Sequence, residues 1–170
     1  MELVFAPLGI EVEGFGVPGT PWETVDPWGH RVRADRAQAV QADNDPALGP
    51  AGTVYLPIED WARFALVFSD SAAKSEEFLT RASRAQLLEV DKDDYACGWI
   101  VTERPWAGGV ALTHSGSNTM WFATAWVAPK NDTAYLVVVN AGGERVDSEV
   151  DRMIGDLIRL DVSSRSKRGR

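Results

Sequence analysis

Apolar residues recur three or four positions apart at Ile58, Trp61, Ala62, Ala65 and Phe68, which predicts an amphipathic helix from Pro57 to about Phe68. Proline suits the first turn, where its missing N–H would have no partner in any case. A second helical stretch is expected from about Ser83 to Glu89, with Ser83 and Gln86 at capping-box spacing. The period then changes. Segments rich in β-branched and aromatic residues follow at Tyr95 to Thr102, Val110 to His114, Trp121 to Ala128 and Ala134 to Asn140. The breaks between them, at 104–109, 117–120 and 129–132, are short enough for hairpins of an antiparallel meander. The helical period returns from Val146 to Leu160 through Val146, Val150, Met153, Ile154, Leu157 and Ile158, a face expected to lie across the sheet.

The first fifty residues are less regular. Residues 1–10 read as the end of a helix stopped at Pro7-Leu8-Gly9. From Gly14 to Pro50 the chain is dense in Gly, Pro, Asp and Trp, with Pro27-Trp28-Gly29-His30 expected as a turn between short strands. The whole predicts an α+β fold, an antiparallel β-sheet with helices packed on it.

Composition narrows the class. With 170 residues, 45% hydrophobic and 25% charged, the chain can bury about two thirds of its unfolded surface in one domain. Its apolar runs, such as Ala134 to Val139, fall far below the roughly 18 residues of a membrane-spanning helix, so no span is expected. The formal charge of −8 argues against a nucleic-acid partner. Four of the 17 basic residues sit in Arg165-Ser166-Lys167-Arg168-Gly169-Arg170, which leaves 13 against 25 acidic ones, a body at −12. Residues 1–160 therefore read as the domain and 161–170 as a basic, disordered tail.

A single cysteine, Cys97, excludes an internal disulfide and a multi-cysteine zinc site; between Ala96 and Gly98-Trp99-Ile100 it is expected to be buried. Asp91, Asp93 and Asp94 are interrupted by Lys92 and lack the glycine and terminal glutamate of a calcium loop, so they read as a solvated acidic turn. With only two histidines, neither a metal nor a cofactor is expected. Met1 to Phe5 lack the basic and then apolar order of a secretory signal, and the compartment stays open.

The chemistry-bearing group is His114-Ser115-Gly116 at the end of a predicted strand, followed by Ser117-Asn118. A histidine, a small hydroxyl and a glycine at a strand end offer a cation, a donor and a place where a substrate approaches the backbone closely. The Ser117 N–H would be free to face a developing oxyanion. The triplet alone is a common one, and an edge histidine making one structural hydrogen bond is an equal reading. His30 reads as a turn histidine. The seven tryptophans read as core, with Trp106 and Trp121, which flank the His-Ser-Gly strand, as candidate cleft lining.

The order of several short pieces is more specific. Phe5-Ala6-Pro7-Leu8-Gly9-Ile10, Pro27-Trp28-Gly29-His30, Gly49-Pro50-Ala51-Gly52, Glu59-Asp60-Trp61-Ala62-Arg63-Phe64, Tyr95-Ala96-Cys97-Gly98-Trp99, His114-Ser115-Gly116-Ser117, Pro129 and Val137-Val138-Val139-Asn140 follow one another in this order. In this the chain resembles, over nearly its whole length, the superfamily of class C β-lactamases, penicillin-binding proteins and related esterases. That superfamily's motifs are Ser-x-x-Lys, Tyr-x-Asn or Ser-x-Asn, and Lys-Thr-Gly, the last becoming His-x-Gly in many class C relatives.

The resemblance implies a partial β-lactamase/transpeptidase-like fold with His114 at the lysine position, Ser115 at the threonine position and Gly116 as the glycine. Ser117 N–H would be half of the oxyanion hole, and Ser115, Gly116 and Asn118 would bind substrate. The other two motifs are expected upstream, in an N-terminal segment missing from this chain. Tyr-x-Asn is absent from it. Ser-x-x-Lys occurs at Ser71 to Lys74, in an Ala/Ser-rich connector, and at Ser164 to Lys167, in the basic run, where no buried pocket would make the lysine a base. No nucleophile is therefore assigned.

Function follows as an expectation: the C-terminal part of a serine hydrolase of the β-lactamase, D-Ala-D-Ala carboxypeptidase or esterase type, inactive alone. Its substrate would be a β-lactam, an ester or a D-amino-acid peptide. The alternative is a truncated, non-catalytic ligand-binding or degenerate module. Relatives are commonly exported, which implies a periplasmic or extracellular setting. Histidine, with an ordinary pKa of about 6.5, replaces a permanent cation, which implies weaker carboxylate recognition and a lean toward ester or peptide substrates.

Overall fold

The computed structural model describes residues 2–11, 14–20, 22–23, 25–34, 36–75 and 78–168. The meander forms, but the run expected as one strand from Tyr95 to Thr102 is broken at Cys97-Gly98 into two antiparallel strands. Strands β5 (Tyr95–Ala96), β6 (Trp99–Arg104), β7 (Gly109–Ser117), β8 (Phe122–Ala128) and β9 (Thr133–Val139) make one antiparallel sheet in sequence order. Two of its turns use the same chemistry. Pro105–Ala107 and Pro129–Asn131 are single 3-10 turns opened by proline and closed by a left-handed residue, Gly108 (φ 71°) and Asp132 (φ 49°). Lys130 Nζ donates to Gly108 O at 2.9 Å and Asn131 Nδ2 to Trp106 O at 3.1 Å, so the two turns brace each other.

Alternation gives each face its own cover. On one face Trp99, Leu112, Ala125 and Val127 pack with Ala65 of α2 (Ile58–Leu66) and with Val67 and Phe68 just beyond it. Phe68 meets the Trp99 ring edge-to-face at 5.3 Å. On the other face Tyr135 and Val137 pack against Val150 and Ile154 of α5 (Val146–Arg168). Helices α1 (Gly49–Gly52), α3 (Asp70–Ser75) and α4 (Arg81–Leu87) are short.

The irregular N-terminal region is more structured than its composition predicts. Strands β2 (Gly29–Arg33) and β3 (Arg36–Val40) form a hairpin, and β10 (Gly142–Gly143) adds to β2 in parallel. Strands β1 (Gly14–Phe15) and β4 (Val54–Tyr55) make a two-stranded ribbon. Among the described residues no helix is long and apolar enough to cross a membrane.

Four expectations change. The cap of α4 is Thr80, whose hydroxyl accepts from Ser83 N at 3.1 Å; Ser83 lies inside the helix. Residues 6–8 form a 3-10 turn closed by Gly9 at φ 64°, too short to be an α-helix. Cys97 is exposed, because the two-residue turn from β5 to β6 puts it and Gly98 at positive φ (41° and 96°) on the tip of a hairpin. Residues 161–168, expected as a disordered tail, continue α5. Arg165 pairs with Asp161 at 2.8 Å and also bonds Thr133 Oγ1, while Asp161 Oδ2 accepts the Tyr135 hydroxyl at 2.6 Å. What reads in sequence as a solvated charge run holds an i,i+4 ion pair anchored to β9.

Burial, reinforced by the hydrogen bond to Asp161, holds the Tyr135 phenol well above its ordinary range. The folded state thus keeps a proton that the unfolded chain releases near pH 10, and this contribution is present below pH 10 and lost as pH rises through the folded value. Tyr135→Phe is expected to cost about 1 kcal/mol at neutral pH and to flatten the loss of stability above pH ~10, read from urea unfolding between pH 7 and 11.

Candidate active site

Strand β7 outruns its neighbour. Its pairing with β6 ends at Ile100↔Thr113, whereas its pairing with β8 continues through His114↔Ala125, Ser115↔Thr124, Gly116↔Ala123 and Ser117↔Phe122. His114-Ser115-Gly116 is therefore inside a strand and not at its end; residues 114–117 pair with β8 on one side and, among the described residues, have no strand partner on the other. In an antiparallel ladder alternate residues turn their N–H and C=O groups to opposite neighbours, so two of these four present backbone polar groups to the open side. All four residues are exposed.

Side-chain alternation splits the group. Counting from Leu112 on the α2 face, His114 and Gly116 share that face, and Ser115 and Ser117 take the α5 face. Ser115 Oγ is bonded to Thr124 Oγ1 across the ladder at 2.7 Å, so its hydroxyl and the His114 ring lie on opposite sides of the sheet. A Cβ placed on Gly116 would meet nothing within 4 Å, so packing does not require this glycine. Beside it on the α2 face lie Ala123 and, one strand on, Val138, which is 47% exposed. The result is an open ledge bordered by His114.

The ledge ends in a braced turn. Asn118 Oδ1 accepts from Met120 N (3.1 Å) and Trp121 N (2.9 Å), and its Nδ2 donates to Asp43 Oδ1 at 2.7 Å. Ser117 Oγ donates to Trp121 O at 2.7 Å and accepts from Thr119 N at 3.0 Å. Thr119 sits at φ 73°, an unusual conformation for a β-branched residue that this network over-determines. Glycines let the second sheet close on the turn: a Cβ at Gly29 would strike Trp121 Nε1, and one at Gly142 would strike the Thr119 carbonyl. His30 belongs to β2 and not to a turn; its N–H donates to Met120 O at 3.0 Å and its Nδ1 bonds Asn140 O at 2.9 Å.

The two literal Ser-x-x-Lys matches lie elsewhere. Ser71 Oγ donates to Asp132 Oδ2 at 2.6 Å and Ser71 N to Oδ1 at 2.8 Å. Asp132 stands just before Thr133, four residues along β9 from Leu136, the residue in register with Ala125 and His114; at about 3.3 Å per residue that is roughly 13 Å. Ser164 is exposed on α5 and donates to Asp161 O. Among the described residues no serine–lysine pair meets at His114. Trp106 is not cleft lining: its ring packs edge-to-face on Trp126 and Tyr135 at 5.8 and 5.6 Å, on the α5 side and at the far end of β7. Trp121 is half-buried at the turn. Sequence reasoning missed Asp43, Thr124 and Gly142: Thr124 and its partner Ser115 are 9 residues apart, but Asp43 and Asn118 are 75 apart.

The sheet is five-stranded and antiparallel, lies between helices, and leaves a histidine-bearing strand edge open. The beta-lactamase family model matches residues 1–159, and the chain belongs to that family, within the serine β-lactamase and penicillin-binding-protein-like superfamily. A crystal structure of SurE shares the fold at 16% identity with a TM-score of 0.63, over 96% of this chain and 38% of that one. The chain thus spans well under half the length of that protein. Curated proteins give no match.

Asn118→Ala removes three hydrogen bonds from the brace and is expected to cost about 2 to 3 kcal/mol. Amide hydrogen exchange should speed up at Met120 and Trp121 before it does in β8; equal protection in the variant would contradict the brace.

Proposed function

We propose that this chain forms one wall of the reaction cleft of a serine hydrolase acting on a β-lactam, an ester or a D-amino-acid peptide, and that the nucleophilic serine comes from polypeptide outside these 170 residues. The observation that carries the reading is the open edge of β7 at 114–117, exposed and, among the described residues, without a strand partner on that side. A serine attacking the substrate carbonyl from across the ledge would form an acyl-enzyme that water or an acceptor resolves. The Ser117 N–H is half of the oxyanion hole, an interaction worth roughly 3 to 4 kcal/mol in other enzymes. His114 holds a substrate carboxylate or a hydroxyl network on the α2 face. Ser115 and Gly116 contribute backbone, since the Ser115 hydroxyl is bonded to Thr124. Asn118, a substrate-binding position by the resemblance, also positions Ser117 through the turn that engages its amide.

By this reading the 170-residue chain alone turns over neither a chromogenic cephalosporin nor a nitrophenyl ester and takes no fluorophosphonate label. Labelling of Ser71, found by peptide mass mapping, would overturn it. In the enzyme completed by a segment carrying the serine, His114→Lys should raise the ratio of activity on carboxylate-bearing β-lactams to activity on simple esters roughly tenfold, the worth of one charge-assisted hydrogen bond. An unchanged ratio would remove His114 from substrate recognition.

A further inference from the structure

A cavity of about 330 Å³ opens beside the braced turn, lined by Phe15, Gly16, Asn44, Pro46, Gly49 and Thr53. Three of its donors are already engaged. Gly16 N donates to Thr53 O at 2.8 Å, Thr53 Oγ1 to Gly49 O at 2.8 Å, and Asn44 Nδ2 to Gly52 O at 2.9 Å. The lining as a whole is mainly apolar and includes Phe15 and Pro46. Phe15 is 55% exposed, a large apolar surface for a ring that fills no core position. Neither Gly16 nor Gly49 has a heavy atom within 4 Å of where a Cβ would stand, so the two glycines keep the space clear.

The cavity is tied to the candidate edge. Asn44 is adjacent to Asp43, whose carboxylate takes both Asn44 N at 2.8 Å and Asn118 Nδ2 at 2.7 Å, and Asn118 adjoins Ser117. Small-molecule sites run to roughly 300–1,000 Å³, so a space at the low end suits one arm of a substrate and not a whole one. Its lining is mainly apolar, so it suits hydrocarbon: a charged arm would lose most of its water with little replacement.

We infer that this cavity is the acyl-chain subsite, taking the linear aliphatic arm of an ester or amide whose carbonyl lies at the 114–117 edge. The inference rests on the reading of that edge as the cleft border. It makes Phe15 a specificity-determining residue and gives the chain a preference for medium-length acyl groups over acetyl.

The test is binding to the 170-residue chain itself, which needs no nucleophile. The ¹⁵N-labelled chain is titrated with methyl acetate, methyl butanoate and methyl hexanoate and followed by amide chemical shifts. Each methylene fully buried is worth about fourfold in affinity, so hexanoate should bind roughly tenfold more tightly than butanoate, with shifts at Gly16, Asn44 and Thr53. Phe15→Ala should cut that step to about twofold, and Phe15→Leu should restore most of it. A flat series in the unmodified chain, or shifts confined to the other cavity around Leu8, Leu66 and Leu79, would overturn the subsite while leaving the His114 and labelling results untouched. A steep series at Gly16 and Thr53 together with an unchanged His114→Lys ratio would leave the hydrocarbon site standing and overturn the edge assignment alone.

Discussion

The site depends on a mismatch in length between two strands that share β7. Strand β8 supports it to Ser117, and β6 stops supporting it at Thr113 because the chain turns back through Cys97 and Gly98, both at positive φ. Open strand edges invite pairing with any extended backbone, and proteins commonly keep them short or charged. Here the opening is four residues long and carries a histidine. On the proposed reading this leaves room for a substrate carbonyl and its neighbours, and it is too short for a stable foreign strand.

The same strand sorts its side chains by face. Because His114 and Gly116 share the α2 face while Ser115 faces Thr124, the hydroxyl and the imidazole of the triplet do not form a cooperating pair. On the proposed reading, chemistry at His114 on the α2 face needs a group from another segment. Below the ledge that face is sealed by Phe68, Ala65 and Trp99; above it, Val138 is half-exposed. The solid part of the sheet supplies rigidity and the uncovered part supplies access.

Much of the fold was legible in the sequence. The period-2 runs gave four of the strands of the main sheet to within a few residues, and the spacing of Ile58, Trp61, Ala65 and Phe68 gave α2. These signals are local, set by which face each residue buries. The β2–β3 hairpin was hidden because Arg31, Arg33, Arg36 and Gln38 leave its alternation weak, with mostly exposed positions. Residues 161–168 were misread because composition cannot tell a solvated charge run from one whose Asp161 and Arg165 find Tyr135 and Thr133 on a distant strand. The site was legible as a triplet and not as a geometry: nothing in His-Ser-Gly says that Asn118 is held by Asp43 or that Ser115 is held by Thr124.

The joint between the two sheets links the ends of the chain. His30 bonds Asn140, Asn140 bonds Trp28, and β10 lies along β2, contacts that span about 110 residues. Closing so long a loop costs entropy before any contact rewards it, and topologies rich in such contacts fold slowly. The meander, built from neighbours in sequence, is free to assemble first. The turn that ends β7 would then acquire its native shape only when the amino-terminal hairpin docks, so the edge would be among the last of the described parts to mature.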